Sequence, residues 1–424
     1  MSIQSFTLRN YRSFVERTTI ELRPLTLLFG YNNTGKSALL RTLPLIADSL
    51  GGQSSTPLAL DNPAVRESHF SELLSRISGR NEFEVELSLD NSKLRCLKWT
   101  IREIPELKTH VISRFSILHS DGVKVEARWT AKFSTRQKLS NRYDLQVDHK
   151  LFRDINIRFK GLLVSFIDGS EETTLKQDIK QRLLIHSEMD TRVQWLSAVR
   201  RPPLRINQFK GSAPDHLEPD GGGAEDILAY DNLTEKSILS KVSRWYEKHL
   251  KQRVVVVQRE ELFRIMLEPM RNSPYQINSV DVGEGLLQVL PVLVASAMVS
   301  EGNTDILAIE EPESHLHPRL HAALAEQFCE LARQQNSPKV LLETHSENFL
   351  LRVQLELARG LDPKLVKIYW IHQPEDGEDR SVAELVTFDE LGHPEGHKWP
   401  KNVFSDNIEQ ARQLIQARRK RSKL

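Results

Sequence analysis

The residues Gly30-Tyr31-Asn32-Asn33-Thr34-Gly35-Lys36-Ser37 follow the spacing G-x-x-x-x-G-K-[ST] of a phosphate-binding loop. Gly30 and Gly35 permit backbone angles that side chains forbid, so successive N–H groups from Asn32 through Gly35 can turn inward onto phosphate oxygens at a helix N-terminus. Lys36 would neutralise the β- and γ-phosphates of ATP, and Ser37 would offer its hydroxyl to Mg²⁺. The context fits: an apolar stretch, Leu25-Thr26-Leu27-Leu28-Phe29, reads as a buried strand before the loop, and a helix is expected from Lys36 onward.

A second run, Ile306-Leu307-Ala308-Ile309-Glu310-Glu311-Pro312, reads as a buried strand that delivers adjacent carboxylates at its C-terminal end, where α/β sheets place ligands. That is the Walker B arrangement. Glu310 is expected to hold Mg²⁺, through water because this ion dehydrates reluctantly, and Glu311 to orient or deprotonate the attacking water. Taken alone, Glu-Glu would be a solvated strand end; the phosphate loop in the same chain favours the catalytic reading. His345 follows another buried strand in Glu343-Thr344-His345-Ser346 and could contact the γ-phosphate from the same sheet edge. Gly283, Glu284 and Gly285 open a long apolar helix, where exposed N–H groups could approach an anion held by a second subunit; a plain turn into the helix competes with that reading.

These groups are far apart in the chain, so the fold must gather them. Buried strands are expected at Val254 to Val257, Ile306 to Ile309, Lys339 to Leu342 and Val366 to Ile371, with helices between, which predicts a mostly parallel sheet. Residues 1–46 read strand, turn, strand, loop, helix, the helix ending near Leu43 before Pro44. Gly, Ser, Pro and Asn from about 50 to 68 mark a surface excursion. Alternation between Glu82 and Ile167 predicts antiparallel strands in a lobe beside the main sheet. Residues 173–200 and 233–250 have helical character, and the Pro- and Gly-rich stretch from Arg201 to Gly223 reads as a long loop.

Composition narrows the setting. Hydrophobic residues at 39% and charged residues at 27% are the balance of a globular chain, not a disordered one. With 58 basic and 57 acidic side chains, the net charge of +1 supplies no global field toward DNA or membranes. The exception is the basic tail Arg418-Arg419-Lys420-Arg421-Ser422-Lys423, by default a solvated terminus. Cys96 and Cys329 stand apart without a C-x-x-C partner, which suggests neither disulfide nor zinc and points to the cytoplasm. The apolar run Leu286 to Ser300 is too short to span a bilayer, so no membrane association is expected. Asp376, Glu378 and Asp379 form an acidic turn that reads as a hairpin loop, not a metal site.

Together Leu8-Arg9-Asn10-Tyr11-Arg12-Ser13-Phe14, the Asn-containing loop, the run Glu310-Glu311-Pro312-Glu313-Ser314-His315-Leu316-His317-Pro318 and Thr344-His345-Ser346 resemble ABC-type ATPases of the SMC, RecF and OLD group. The resemblance covers both ends of the chain and implies that Ser314 to His317 is the D-loop, that His345 is the switch histidine, and that Asp281 to Gln288 holds the signature position. Trp399-Pro400 and Phe404 match a subgroup ending in a Trp-Pro motif. The chain departs from transporters in having Glu310 for Asp, a different signature and His317 in the D-loop. It has no SMC-like coiled coil, and the roughly 80 residues after His345 are short for a TOPRIM nuclease domain.

The fold class expected is therefore α/β, a P-loop NTPase of the ABC-head type with a mostly parallel core sheet, an antiparallel β lobe and a short helical insertion. Its parts would be 1–170 with the phosphate loop, 171–250 as the insertion, and 251–424 with the signature-like segment, Walker B, D-loop and His345. The resemblance implies a Mg²⁺-dependent ATPase that forms a homodimer or higher homo-oligomer through ATP. It would work with a separately encoded effector, a nuclease or toxin, or on DNA, in the manner of antiphage defence. A nucleotide-gated scaffold with little turnover is the alternative. A small-molecule P-loop kinase would leave His345 and the Gly283 to Gly285 segment without a role.

Overall fold

Leu25–Phe29 is buried at every position and sits inside a seven-stranded sheet of the computed structural model. The sheet order is Val193–Leu196, Ile306–Glu310, Lys339–Thr344, Leu25–Phe29, Val366–His372, Val382–Phe388 and Pro394–Glu395. Every pairing from Val193–Leu196 to Val366–His372 is parallel, and Val382–Phe388 joins antiparallel. Both faces of the parallel strands are covered, which is why they read as continuous apolar runs. Described are residues 2–395 except 52, 53, 55, 131–138, 169–176, 186–188, 190, 272–274, 303, 336, 375–378 and 390. Trp399-Pro400, Phe404, the basic tail, Asp376 and Glu378 lie outside the described residues.

One face carries the helix Lys36–Leu50 and a nine-stranded antiparallel sheet. That sheet starts from the N-terminal strands Ser2–Arg9 and Thr18–Glu21 and continues through seven strands from Glu82–Asp90 to Leu163–Asp168. The expected β lobe is thus an extension of the N-terminal hairpin. In Glu82–Asp90 the residues Phe83, Val85, Leu87 and Leu89 are buried in alternation, as a half-covered sheet requires. Trp99 is fully buried, and its indole N–H donates to the Leu162 carbonyl at 2.8 Å. The other face is covered by Ala224–Leu233, Ser237–Leu250, Leu290–Ser300, Pro318–Ala332 and Glu347–Ala358. Among the described residues no helix is long and apolar enough to cross a membrane.

Several expectations change. The helix Lys36–Leu50 runs through Pro44 instead of ending before it. A helical proline costs about 3 kcal/mol, whereas burying each large apolar side chain contributes about 1.5–3 kcal/mol. Leu39, Leu40, Leu43, Leu45 and Ile46 are all buried, so packing wins. The helical character expected over 173–200 holds for Gln177–Leu183, but Val193–Leu196 is a strand registered on Ile306–Ile309. The pairing partner, more than a hundred residues away, was invisible to local periodicity. Val254 to Val257 belongs to Gln252–Arg259, a hairpin strand with Leu262–Pro269 in a separate four-stranded sheet, and only Val254 is buried. Its β-branched residues mark a pleated, half-covered surface, not a parallel core strand. The excursion from 50 to 68 buries Leu58, Ala59, Ala64 and Val65 and contains the 3₁₀ turn Pro63–Val65.

Candidate functional site

The loop from Gly30 to Gly35 leaves the C-terminal end of Leu25–Phe29, and the helix starts at Lys36. Gly35 has φ 94°, and a Cβ there would lie 2.8 Å from Ser13 Oγ and 2.9 Å from Phe14, so both angle and space demand glycine. Gly30 lies against the Ile371 carbonyl, Asn33 is left-handed at φ 64°, and Asn32 is exposed. Thr34 Oγ1 and Lys36 Nζ both donate to the Tyr31 carbonyl, at 2.9 and 2.7 Å, which closes the loop on itself. Lys36 is buried; burial lowers its pKa, opposed by the charges of Glu343, Glu311 and Glu313. Beside it lies a cavity of about 280 Å³ lined by loop residues, Arg12, Arg41, Arg66 and Glu343. A lysine and guanidinium groups around one small cavity suit a polyanion.

The carboxylates are distributed differently from expectation. Glu310, at the end of the Walker B strand, accepts from Arg41 Nε and Nη2 at 2.5 Å each and from Trp195 Nε1 at 3.1 Å. Burial works against the Arg41 charge, yet the hydrogen bonds and charge of Glu310 outweigh it and raise the Arg41 pKa. Ser37, expected beside Glu310, instead donates to Glu343 Oε1 at 2.8 Å. Arg41 lies one helical turn beyond Ser37 and takes Glu310, while the adjacent strand presents Glu343 opposite Glu310 in register. Glu343 is also 3.9 Å from Lys36 Nζ, and burial followed by the Glu310 charge pushes its pKa up to about 7.

Glu311 and His345 do come together. Glu311 Oε1 is 3.7 Å from His345 Nδ1, and Glu311 Oε2 accepts from Ser314 Oγ at 2.8 Å. The Glu311 backbone has φ 39°, left-handed for a bulky residue, and its N–H donates to the Glu343 carbonyl at 2.9 Å. Such strain costs about 1–3 kcal/mol and concentrates at functional sites. Below them Glu313 is fully enclosed; it accepts from Thr344 Oγ1 and from the His345 N–H, and burial raises its pKa. Arg200, 4% exposed, donates to the carbonyls of Glu310 at 2.8 Å and Glu311 at 3.3 Å, and burial lowers its pKa to about 10.

Gly283, Glu284 and Gly285 stand apart from the cavity at the phosphate loop. A Cβ on Gly285 would lie 2.4 Å from the His315 carbonyl, so this segment packs on the D-loop position of its own chain, whereas Gly283 faces open space. Gln288 donates to the Arg200 carbonyl at 3.3 Å, linking the same segment to the Walker B turn. His317, expected at the D-loop position, caps the helix Pro318–Ala332 by accepting from the Arg319 N–H at 3.2 Å.

The family described as "AAA ATPase domain" matches residues 1–190, and that described as "AAA domain, putative AbiEii toxin, Type IV TA system" matches residues 149–352. Both matching families are AAA domains, and between them the two matches run from residue 1 to residue 352. Among solved structures, this chain is similar to an SMC head bound to the C-terminal winged-helix domain of ScpA, at 12% identity and TM-score 0.46, covering 91% of this chain and 98% of that one. The SMC head domain from Thermotoga maritima gives 12% identity and TM-score 0.41, covering 91% and 99%. An SMC head with an extended coiled coil, bound to the C-terminal domain of ScpA from Pyrococcus furiosus, gives 11% and 0.44, covering 99% of each chain. No curated protein matches the sequence.

The sequence-predicted residues Lys36, Ser37, Glu311 and His345 thus gather at one sheet edge, and Glu310 is engaged by Arg41. Sequence reasoning missed Arg41, Trp195, Arg200 and Glu343. Of these only Glu343 had a local signal, a carboxylate ending a buried strand just before Thr344-His345. The set fits Mg²⁺: Ser37 offers a hydroxyl oxygen, and Glu343 Oε2 is buried without a hydrogen-bond partner among the described residues.

Proposed function

We propose that the chain is an ATPase whose two copies close around ATP and that this closure controls a partner effector or DNA. Lys36 and the N–H groups from Asn32 to Gly35 hold the phosphates, Glu311 orients or deprotonates the attacking water, and His345 contacts the γ-phosphate. Gly283 to Gly285 act on the nucleotide held by the opposite copy. Magnesium, bound through Ser37 and a carboxylate of the sheet edge, supplies charge stabilisation to the phosphates. Phosphoryl transfer depends on positioning and charge, so a head without the opposite wall hydrolyses slowly.

The observation that carries this reading is the approach of Glu311 to His345, 3.7 Å, just beyond the ends of two adjacent strands, one of which pairs with the strand that feeds the phosphate loop. A water-directing carboxylate and a phosphate-sensing imidazole are superfluous in a protein that only binds nucleotide. Phosphate release by the purified chain, with and without DNA, tests it against Glu311→Gln. The variant should lose about 10²–10⁴-fold in rate while retaining ATP, and should accumulate an ATP-dependent dimer visible by light scattering. Equal background rates in both proteins would sink the hydrolytic reading.

A scaffold that binds ATP and restrains an effector with little turnover is the second reading. It is favoured by the Arg41 clamp on Glu310, which occupies the carboxylate expected from the sequence to hold the metal. The effector would be a separately encoded nuclease or toxin in a defence system. Co-expression with the product of an adjacent gene, followed by ATP-dependent co-purification, identifies it.

A further inference from the structure

The geometry points to Glu343, not Glu310, as the carboxylate that acts with Ser37 on the magnesium of bound ATP. This rests on the nucleotide reading above and assigns the metal side of that same site.

Ser37 and Glu343 are already joined, Oγ to Oε1 at 2.8 Å, on the wall of the cavity that the phosphate loop encloses. The Glu343 side chain is 5% exposed, and its other oxygen, Oε2, has no hydrogen-bond partner among the described residues. An ionisable oxygen buried at a cavity wall with nothing to accept is costly unless something there completes it. A triphosphate alone would make the position worse, because like charges would face each other at short range. A divalent cation between the carboxylate and the phosphate oxygens removes both problems, and magnesium is habitually held by one or two protein oxygens plus phosphate and water. Among the described residues no group of three or more His, Cys, Asp or Glu forms an all-protein cage, so a metal here has to be shared with the nucleotide.

Glu310 is placed for a different task. One oxygen accepts from Arg41 Nε and from Trp195 Nε1, the other from Arg41 Nη2, so the carboxylate is satisfied by a bidentate fork and an indole. The guanidinium supplies the counter-charge that a metal would otherwise supply, and its positive charge disfavours a divalent ion on the same oxygens. Glu310 acts as a positioning residue that fixes Arg41 and the Walker B strand end. Glu343 is its registered neighbour on Lys339–Thr344, one strand closer to the phosphate-loop strand.

The test is the gain in affinity for a non-hydrolysable ATP analogue on replacing EDTA by Mg²⁺, measured by calorimetry for the wild type, Glu343→Gln, Glu310→Gln and Lys36→Ala. With Mn²⁺ as the probe, electron paramagnetic resonance reports metal uptake independently of turnover. The wild type should gain at least about tenfold on adding metal, a difference of about 1.4 kcal/mol. Glu343→Gln should keep or raise the EDTA affinity, showing that it is folded, and lose most of the metal-linked gain and the bound Mn²⁺ signal. Glu310→Gln should keep the gain. The assignment is overturned if Glu343→Gln retains the metal-linked gain, if it loses EDTA affinity and metal gain alike, or if Glu310→Gln abolishes the gain. Failure of the wild type to take up nucleotide, or a Lys36→Ala affinity equal to wild type, overturns the nucleotide reading itself.

Discussion

Arg41 lays both arms of its guanidinium on Glu310, 2.5 Å each, one helical turn beyond the serine of the phosphate loop. Both side chains are largely buried, at 11% and 2% exposure, so the pair is a poor source of net stability but an expensive one to break. Arg41→Met should destabilise by about 3–5 kcal/mol, because the buried Glu310 carboxyl loses its counter-charge and keeps only the Trp195 hydrogen bond. Adding Glu310→Met should restore at least about 2 kcal/mol of that loss in urea unfolding. Additive penalties would show that the two side chains do not act as a unit.

Lys36 is buried against the Tyr31 carbonyl, and burial lowers its pKa. The folded chain therefore gains little from this ammonium until phosphate meets it. Lys36→Ala should lower ATP affinity at least about 100-fold while shifting nucleotide-free stability by less than about 1 kcal/mol. A fluorescent analogue and a thermal melt measure the two quantities; a large fall in both would make Lys36 structural.

Gly283 and Gly285 separate two uses of glycine within one segment. Gly285→Ala pushes a Cβ toward the His315 carbonyl and should cost about 1–3 kcal/mol of stability. Gly283→Ala meets nothing within 4 Å and should leave the fold intact. In a Glu311→Gln background it should still weaken ATP-dependent dimerisation, read by light scattering. An unimpaired dimer would remove Gly283 from the trans wall.

His110 provides a pH signature remote from the site. Its ring stacks on Phe70 with centroids 4.6 Å apart, and its Nε2 accepts from the Leu58 N–H at 3.1 Å. Burial pushes its pKa down to about 4 from the usual 6.5. Between those values the unfolded chain binds a proton that the folded chain refuses, so stability is present above pH 6.5 and is lost as pH falls toward 4. His110→Gln, whose amide oxygen can accept the same bond, should lose about 2 kcal/mol less than wild type between pH 7 and 4.5 in urea unfolding. Parallel profiles would contradict it.

The phosphate loop and the Walker B strand were legible because each is contiguous: fully buried strands read as apolar runs, and Gly35-Lys36-Ser37 or Glu310-Glu311 follow at once. The residues that tune those motifs were not, because their roles arise across the fold. Nothing near Arg41 in sequence announces that it will meet Glu310, and Trp195 reaches the same carboxylate from a strand whose neighbours look helical. The failure at Val254 to Val257 is of another kind, since β-branched residues show strand but not which sheet or how deeply it is buried. Pro44 misled because a local penalty was weighed without the side chains buried around it.

The strand that feeds the phosphate loop lies between two partners that the ribosome makes about 300 residues later, at roughly 15–60 s of synthesis for typical elongation rates. Until Lys339–Thr344 and Val366–His372 emerge, Leu25–Phe29 has neither of its ladder neighbours. Nucleotide affinity should thus be acquired only after residue 372 is made, and a nascent chain halted before residue 339 should neither retain ATP nor bury this apolar segment, which stays open to misassociation over that interval.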